Sequence, residues 1–139
     1  MKLIVGLGNP GDFYADSRHN IGFSVIRALS KVYKAPLKRD KGTFSLSAKV
    51  KAAGQNVILA MPLTFMNLSG SAAEDLIRKY KIGLDELLVV CDDMDLEFCR
   101  LKVRPHGASA GHRGLGSIIS SLGSDKFARL RVGIGRPGK

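Results

Sequence analysis

The stretch Lys2–Asn20, KLIVGLGNPGDFYADSRHN, decides how the rest of the chain is arranged. Its apolar start, Lys2–Leu7, is typical of a buried strand, and the turn-forming run Gly8–Gly11 follows at once. A polar loop then leads into a helix whose apolar positions recur three and four residues apart, at Phe23, Ile26, Leu29 and Tyr33. Open α/β sheets carry their sites outside the carboxyl ends of the strands. The stretch therefore predicts a strand-loop-helix unit with Asn9, His19 and Asn20 at its mouth.

Strand and helix patterns alternate along the rest of the chain. Strands are predicted at Thr43–Val50, Asn56–Met61, Leu87–Cys91, Arg100–Arg104 and Arg129–Ile134. Helices are predicted at Ile21–Tyr33, around the apolar positions Ala73, Leu76, Ile77 and Tyr80, and around Leu115, Ile118, Ile119 and Leu122. A chain of 139 residues fits one domain. The sequence thus predicts a single α/β domain with a mixed, mostly parallel central sheet flanked by helices.

Capping residues predict where two of the helices begin and end. Asn20 suits the N-cap of the first helix. Ser71–Glu74 fits a capping box for the second helix, although that helix can also begin one turn earlier. Gly83 suits its C-terminal end.

Composition narrows the class of protein. No apolar run approaches the roughly 20 residues that span a bilayer, and the N-terminus lacks the basic and apolar regions of a secretory signal. Cys91 and Cys99 both fall in predicted strands. They are expected to be reduced core thiols, as is usual in the cytosol. A cytoplasmic protein without a membrane segment is therefore expected.

Positive charge is concentrated towards the C-terminus. The formal net charge is +10, and residues 97–139 contain nine Lys or Arg residues against two Asp or Glu residues. Such an asymmetry indicates a polyanionic partner, and nucleic acid is the first candidate. The alternative is ordinary solvated surface charge.

Gly6, Gly8 and Gly11 formally match the dinucleotide-binding pattern G-x-G-x-x-G. In that fold the glycines open directly into a helix whose N-terminus holds the pyrophosphate. Here Pro10 interrupts the turn, and the helix starts about ten residues later. We interpret the glycines as residues of a sharp turn, and expect neither a dinucleotide cofactor nor an oxidoreductase.

Four polar residues at strand or helix ends form a candidate catalytic set: Asn9, His19, Asn67 and Asp92. The positive end of a helix dipole disfavours the imidazolium form of His19, so its imidazole stays available as a base. A buried carboxylate such as Asp92 accepts the imidazole Nδ1–H and fixes the tautomer. Asn amides supply donors for an oxyanion and acceptors for a peptide N–H. The set fits addition of water to a carbonyl, although each residue alone is explained by a turn or a cap.

Two other kinds of site fit the residue types less well. Possible metal ligands are His19, His106, His112, Asp92 and Asp93. No pair among them shows a recognised metal-ligand spacing, so no metal site is expected. Cys91 is a possible thiol nucleophile beside Asp92, but its place within a run of Leu and Val is typical of an inert core thiol.

Six motifs span nearly the whole chain. They are Lys2–Gly11 (KLIVGLGNPG), Arg18–Asn20 (RHN), Pro62–Gly70 (PLTFMNLSG), Asp92–Asp95 (DDMD), Gly111–Gly114 (GHRG) and Arg129–Pro137 (RLRVGIGRP). The chain closely resembles the bacterial peptidyl-tRNA hydrolases, because these motifs occur in the same order in that family. The motifs are highly specific jointly, whereas each one alone is not.

The resemblance implies a monomeric, cytoplasmic, metal-independent α/β hydrolase without a cofactor. Its substrate would be peptidyl-tRNA, whose peptide ester it cleaves to recycle tRNA during translation. His19 would be the base that activates water, and Asp92 its partner. Substrate binding is implied for Asn9, Tyr14, Phe65, Met66, Asn67, His112 and Arg113, and tRNA phosphate binding for Arg104 and Arg131.

The chain departs from the family in two places. Arg113 stands where the family often has Asn, and a guanidinium cannot accept a hydrogen bond from a peptide; binding of the nucleic-acid backbone is its alternative role. Family members normally continue into a C-terminal helical segment, so residues 1–139 are interpreted as the hydrolase-like domain without that segment. A non-catalytic RNA-binding relative is the competing function, because plant relatives of this fold serve as RNA-splicing partners. The joint presence of the four site residues favours the enzyme.

Overall fold

A computed structural model describes residues 1–11 and 20–136 of the chain. Within them, one mixed sheet contains seven strands: β1 (Lys2–Gly6), β2 (Lys38–Asp40), β3 (Ser45–Ala52), β4 (Gln55–Pro62), β5 (Leu87–Asp93), β6 (Leu101–Arg104) and β7 (Ala128–Gly133). Three α-helices are α1 (Ile21–Val32), α2 (Ser69–Tyr80) and α3 (Arg113–Leu122). None of the described helices is long and apolar enough to cross a membrane. The single α/β domain expected from the sequence is confirmed.

The sheet has the strand order β2-β3-β4-β1-β5-β7-β6. Its four central strands, β4, β1, β5 and β7, run parallel, and antiparallel pairings add β3 and β2 at one edge and β6 at the other. Parallel strands are buried on both faces, which accounts for the continuous apolar run of β5. The carboxyl ends of β1, β4 and β5 consequently share one edge of the sheet.

Two apolar cores lie on opposite faces of the sheet. On one face α1 packs Phe23 and Ile26 against Leu59 of β4. On the other, α2 and α3 bury Leu76 and Leu115 against β1 and β5. Fully burying side chains of this size stabilises the fold by about 1.5 to 3 kcal/mol each.

The glycines of the first motif allow α1 to approach β1 closely. A Cβ atom added at Gly6 would lie 2.2 Å from the carbonyl oxygen of Gly22, and one added at Gly8 would lie 2.8 Å from the ring of Phe23. The sharp-turn interpretation holds only for Gly11, whose φ is +106°. Gly6 and Gly8 instead serve helix-strand packing, which a turn pattern in the sequence does not reveal.

The helix ends differ from those predicted by capping. Asn20 occupies the N-cap of α1, but its side chain makes no capping hydrogen bond. The second helix already begins at Ser69, so Ser71–Glu74 is not its capping box; the N–H of Gly70 donates instead to Ser117 Oγ of α3, 2.9 Å away. It ends before Lys81, which takes the left-handed conformation expected at Gly83. At the N-termini of α1 and α2, tertiary contacts thus replace local side-chain caps.

Cys91 lies fully buried in β5, as expected of a core thiol. The expectation for Cys99 was wrong, because this residue is exposed in a turn with φ +69°. Strand β2 was not predicted either, since its three residues show no alternation of apolar and polar side chains.

Candidate active site

Residues from three strand ends and one helix start line a single cavity of about 460 Å³. Asn9 follows β1, Asn67 lies in a short 3-10 turn after β4, and Asp92 lies near the end of β5. The lining residues are Asn9, Phe65, Met66, Asn67, Asp92, Met94, Gly111, His112 and Arg113. The fold therefore brings together seven of the residues assigned to catalysis or substrate binding. His19 and Tyr14 lie outside the described residues.

Three hydrogen bonds fix the orientation of Asn9. Its backbone N–H donates to Asn20 Oδ1 at 2.9 Å, and Asn20 Nδ2 donates to its carbonyl at 3.0 Å. The backbone N–H of Met66 donates to Asn9 Oδ1 at 2.6 Å. Since Oδ1 must face that N–H, the Nδ2 group, which has no partner within the described ranges, is the donor left for a ligand. Sequence reasoning missed this role of Asn20, because its position also fitted a helix cap.

Asp92 and His112 form a buried pair at the wall of the cavity. His112 Nε2 lies 2.6 Å from Asp92 Oδ1, and their side chains are 11% and 7% exposed. The backbone N–H of Leu115 donates to His112 Nδ1 at 3.1 Å, so this nitrogen is an acceptor and the proton lies on Nε2. His112 therefore donates to Asp92, and both of its nitrogens are occupied. It orients the carboxylate and is not available as a base.

The sequence assigned His19 as the partner of Asp92 and gave His112 only a role in substrate binding. Among the described residues, His112 is hydrogen-bonded to Asp92, and it is the N-cap residue of α3. The predicted contact between His19 and Asp92 involves a residue outside the described ranges. No periodicity signals the pair with His112, because the two residues are 20 positions apart in the chain.

A second cavity of about 500 Å³ shares Asp92, Met94, Gly111 and His112 with the first. Its basic lining consists of Lys102, Arg104, His106, Arg129 and Arg131. Lys102 lies opposite Arg131 in the pairing of β6 with β7, and Arg104 lies opposite Arg129, so all four project from one face of the sheet. The two residues assigned to tRNA phosphate binding, Arg104 and Arg131, thus line one cavity.

Arg129 is a fully buried cation within this basic wall. Its Nη1 donates to the carbonyl of Gly107 at 2.6 Å and its Nη2 to that of Asp125 at 2.7 Å. Its guanidinium also lies 4.6 Å from the ring centre of Phe127. Burial, and then the neighbouring Arg131, lower the pKa of Arg129. Through its hydrogen bonds, Arg129 fastens the loop leading to His112, which the sequence pattern of β7 does not reveal.

Two alternatives from the sequence find no support in the geometry. Across residues 1–11 and 20–136, no group of three His, Cys, Asp or Glu side chains is arranged to hold a metal ion. Burial raises the pKa of the Cys91 thiol to about 12. A thiol with such a pKa is a poor nucleophile near neutral pH.

Comparisons with known proteins agree with the resemblance seen in the motifs. The model of the family described as peptidyl-tRNA hydrolase matches residues 3–139. The peptidyl-tRNA hydrolase of Desulforudis audaxviator is 52% identical over 98% of this chain and 69% of its own length, and that of Aquifex aeolicus is 46% identical over 100% and 72%. The crystal structure of peptidyl-tRNA hydrolase from Acinetobacter baumannii superposes with a TM-score of 0.93 at 37% identity, covering 100% of this chain and 70% of that one.

Proposed function

The chain belongs to the peptidyl-tRNA hydrolase family, and we propose that it cleaves the ester between peptide and tRNA with a water molecule activated by His19. It is a hydrolase that acts on ester bonds, as its relatives and structural neighbours are. The observation that best supports the proposed chemistry is the shared cavity of Asn9, Asn67, Asp92 and His112. It adjoins the basic cavity that contains Arg104 and Arg131.

In the proposed reaction His19 takes a proton from water as the water oxygen attacks the ester carbonyl carbon. The bond between that carbon and the 3′ oxygen of the tRNA then breaks, and the proton passes to the leaving oxygen. The peptide leaves as a carboxylic acid, and the tRNA regains its hydroxyl group. Both ring nitrogens of His112 are engaged in hydrogen bonds. This leaves His19 as the better candidate for the base.

The two asparagines are proposed to bind the peptide and the reacting oxygen. Because Asn9 Oδ1 is occupied by the N–H of Met66, its Nδ2 group offers donors to a carbonyl or a developing oxyanion. Asn67 is exposed, and its side chain makes no hydrogen bond within the described part of the chain, so its amide can pair with a peptide group. Phe65, 58% exposed, and Met66 offer apolar surface beside them.

We further infer that the protein acts as a monomer in the cytoplasm on tRNA released from translation. The basic cavity supports contact with tRNA phosphates, since guanidinium groups bind phosphate through paired, charge-assisted hydrogen bonds. Phosphate contacts position nucleic acid without reading its sequence. This suits an enzyme that handles many tRNAs.

The decisive experiment incubates the protein with a peptidyl-tRNA and, separately, with the aminoacyl-tRNA that carries the same tRNA. We expect peptide release from the first and sparing of the second, because the cleft amides have no peptide group to bind in the shorter ester. Buffer without protein gives the spontaneous rate of ester hydrolysis. Tight binding of both RNAs without cleavage would instead identify an RNA-binding relative.

A further inference from the structure

The candidate active site contains a cation that has no partner among the described residues. Arg113 lines the 460 Å³ cavity beside Asn9 and Asn67. The hydrogen bonds and ion pairs of residues 1–11 and 20–136 include none made by its guanidinium. The carboxylate lining the same cavity, Asp92, is hydrogen-bonded to His112 at 2.6 Å. Within the described part of the chain, the cavity therefore presents an unpaired positive charge to its occupant.

The position of Arg113 in the fold is electrostatically unfavourable. It is the first residue of α3, and the first turn of that helix contains no acidic residue. A cation at the positive end of a helix dipole is unfavourable by about 0.3 to 1 kcal/mol. The side chain is also exposed, so it is not part of either apolar core. A role towards a ligand explains the cation better than a role in stability.

The position of Arg113 favours contact with the peptide over contact with tRNA. It lines the cavity that contains both asparagines, and it is absent from the lining of the basic cavity that contains Lys102, Arg104 and Arg131. Around it lie Phe65 and Met94, which are 58% and 40% exposed. This combination suits a side chain with an apolar stem and an anionic end.

We propose that Arg113 is a specificity-determining residue that favours peptides with a Glu or Asp side chain near the ester. The proposal rests on the proposed hydrolysis and adds the class of peptide that is cleaved best. An exposed ion pair of this kind is worth up to about 1 kcal/mol, so the selectivity is modest. It diminishes with salt, because the pair is open to solvent.

The test compares two peptidyl-tRNAs that share one tRNA and differ only in a Glu or Gln side chain next to the ester. Any contribution from tRNA binding cancels in the ratio of their kcat/KM values. For the wild type we expect a ratio of about three to five in favour of Glu. Arg113→Gln should bring the ratio to about one, and Arg113→Glu should favour a matching Lys peptide instead.

Arg131→Ala is the matched control, since it removes an arginine from the basic cavity. It should lower kcat/KM for both peptides by the same factor and leave their ratio unchanged. A wild-type ratio of one, or an equal loss for both peptides in Arg113→Gln, would overturn the assignment of Arg113. If the wild type cleaves neither ester above the buffer rate, the proposed hydrolysis itself fails, and the specificity fails with it.

Discussion

Asp40 and Asp92 are both buried carboxylates of the central sheet, 7% and 6% exposed, but their surroundings differ. Asp40, at the end of β2, accepts hydrogen bonds from Thr43, Ser47, Lys79 and Tyr80. Asp92, near the end of β5, faces His112 at 2.6 Å and lines both cavities. The first carboxylate is held by a lysine and three hydroxyl groups, the second by the Nε2–H of His112 within the candidate site.

The pKa of Asp40 shows what its donors achieve. Burial alone would raise it, but the hydrogen bonds from Lys79, Ser47, Tyr80 and Thr43 outweigh burial and lower the pKa from 3.8 to about 2. The hydrogen bond from Lys79 Nζ to Asp40 Oδ1 in turn raises the pKa of Lys79. Asp40 thus ties β2 and β3 to α2 and serves stability, whereas Asp92 is placed where chemistry can use it.

The largest effect is expected for His19→Ala. If His19 is the base, its loss lowers the rate of ester cleavage by about 10² to 10⁴-fold, with little change in the unfolding midpoint. Single-turnover cleavage of peptidyl-tRNA at saturating protein measures the chemical step. Turnover within a few-fold of the wild type would remove His19 from the mechanism and return His112 and Asp92 to consideration as bases.

Asp40→Asn should cost stability without affecting chemistry. The substitution removes the negative charge of Asp40 and leaves Lys79 without its ion-pair partner. We expect this loss to lower the free energy of unfolding by about 2 to 3 kcal/mol. Urea denaturation at pH 7 measures this. Asp75→Asn is the control, because Asp75 forms an exposed ion pair with Arg78 and should change stability by less than about 1 kcal/mol. A strong loss of kcat in folded Asp40→Asn would break the division between the two carboxylates.

Asp92→Asn should show the opposite behaviour. The amide oxygen can still accept from His112 Nε2, so the cavity keeps its shape while the negative charge is lost. Hydrogen bonds to charged groups contribute about 1.5 to 3 kcal/mol, which corresponds to a rate loss on the order of tenfold to a hundredfold. Steady-state kcat and thermal unfolding are measured together. Unfolding as severe as that of Asp40→Asn, with unchanged kcat in the folded fraction, would show that Asp92 is structural.

Acid should lower the free energy of unfolding, because Asp40 becomes protonated. Its folded-state pKa of about 2 lies below the unfolded value near 3.8. The carboxylate therefore stabilises the fold above about pH 4, and this contribution of about 2 kcal/mol is lost as the pH falls towards 2. Urea denaturation of wild type and Asp40→Asn at pH 7, 4, 3 and 2 tests the sign. The difference between the two should shrink at the lowest pH, and a constant difference would contradict the linkage.

The smallest effect is expected for Arg131→Ala. If Arg131 binds one phosphate, its loss weakens different tRNAs about equally and reduces the slope of log K against log salt by roughly 0.7 to 0.9. Binding of two unrelated tRNAs across a salt series measures both quantities. Superimposable lines for wild type and variant would exclude Arg131 from the site. A loss confined to one tRNA would indicate contact with bases.

The fold class and the neighbourhood of the candidate site follow from local sequence patterns. Periodicity of two or 3.6 residues reports which face of an element is buried, so strands and helices could be located from short windows. Polar residues directly after parallel strands must share one edge of the sheet. Asn9, Asn67 and Asp92 could therefore be assigned to one cleft from the sequence.

The pairing of the polar groups, in contrast, depends on how distant parts of the chain pack. The bond from Met66 to Asn9 joins residues 57 positions apart, and that between His112 and Asp92 joins residues 20 positions apart. The close approach of Gly6 to Gly22 and the burial of Arg129 depend in the same way on how distant elements dock. Local patterns contain no record of strand register or loop path, and these two set the distances at which hydrogen bonds form. Sequence patterns therefore indicated which residues line the candidate site, whereas the hydrogen bonds between them depend on the folded chain.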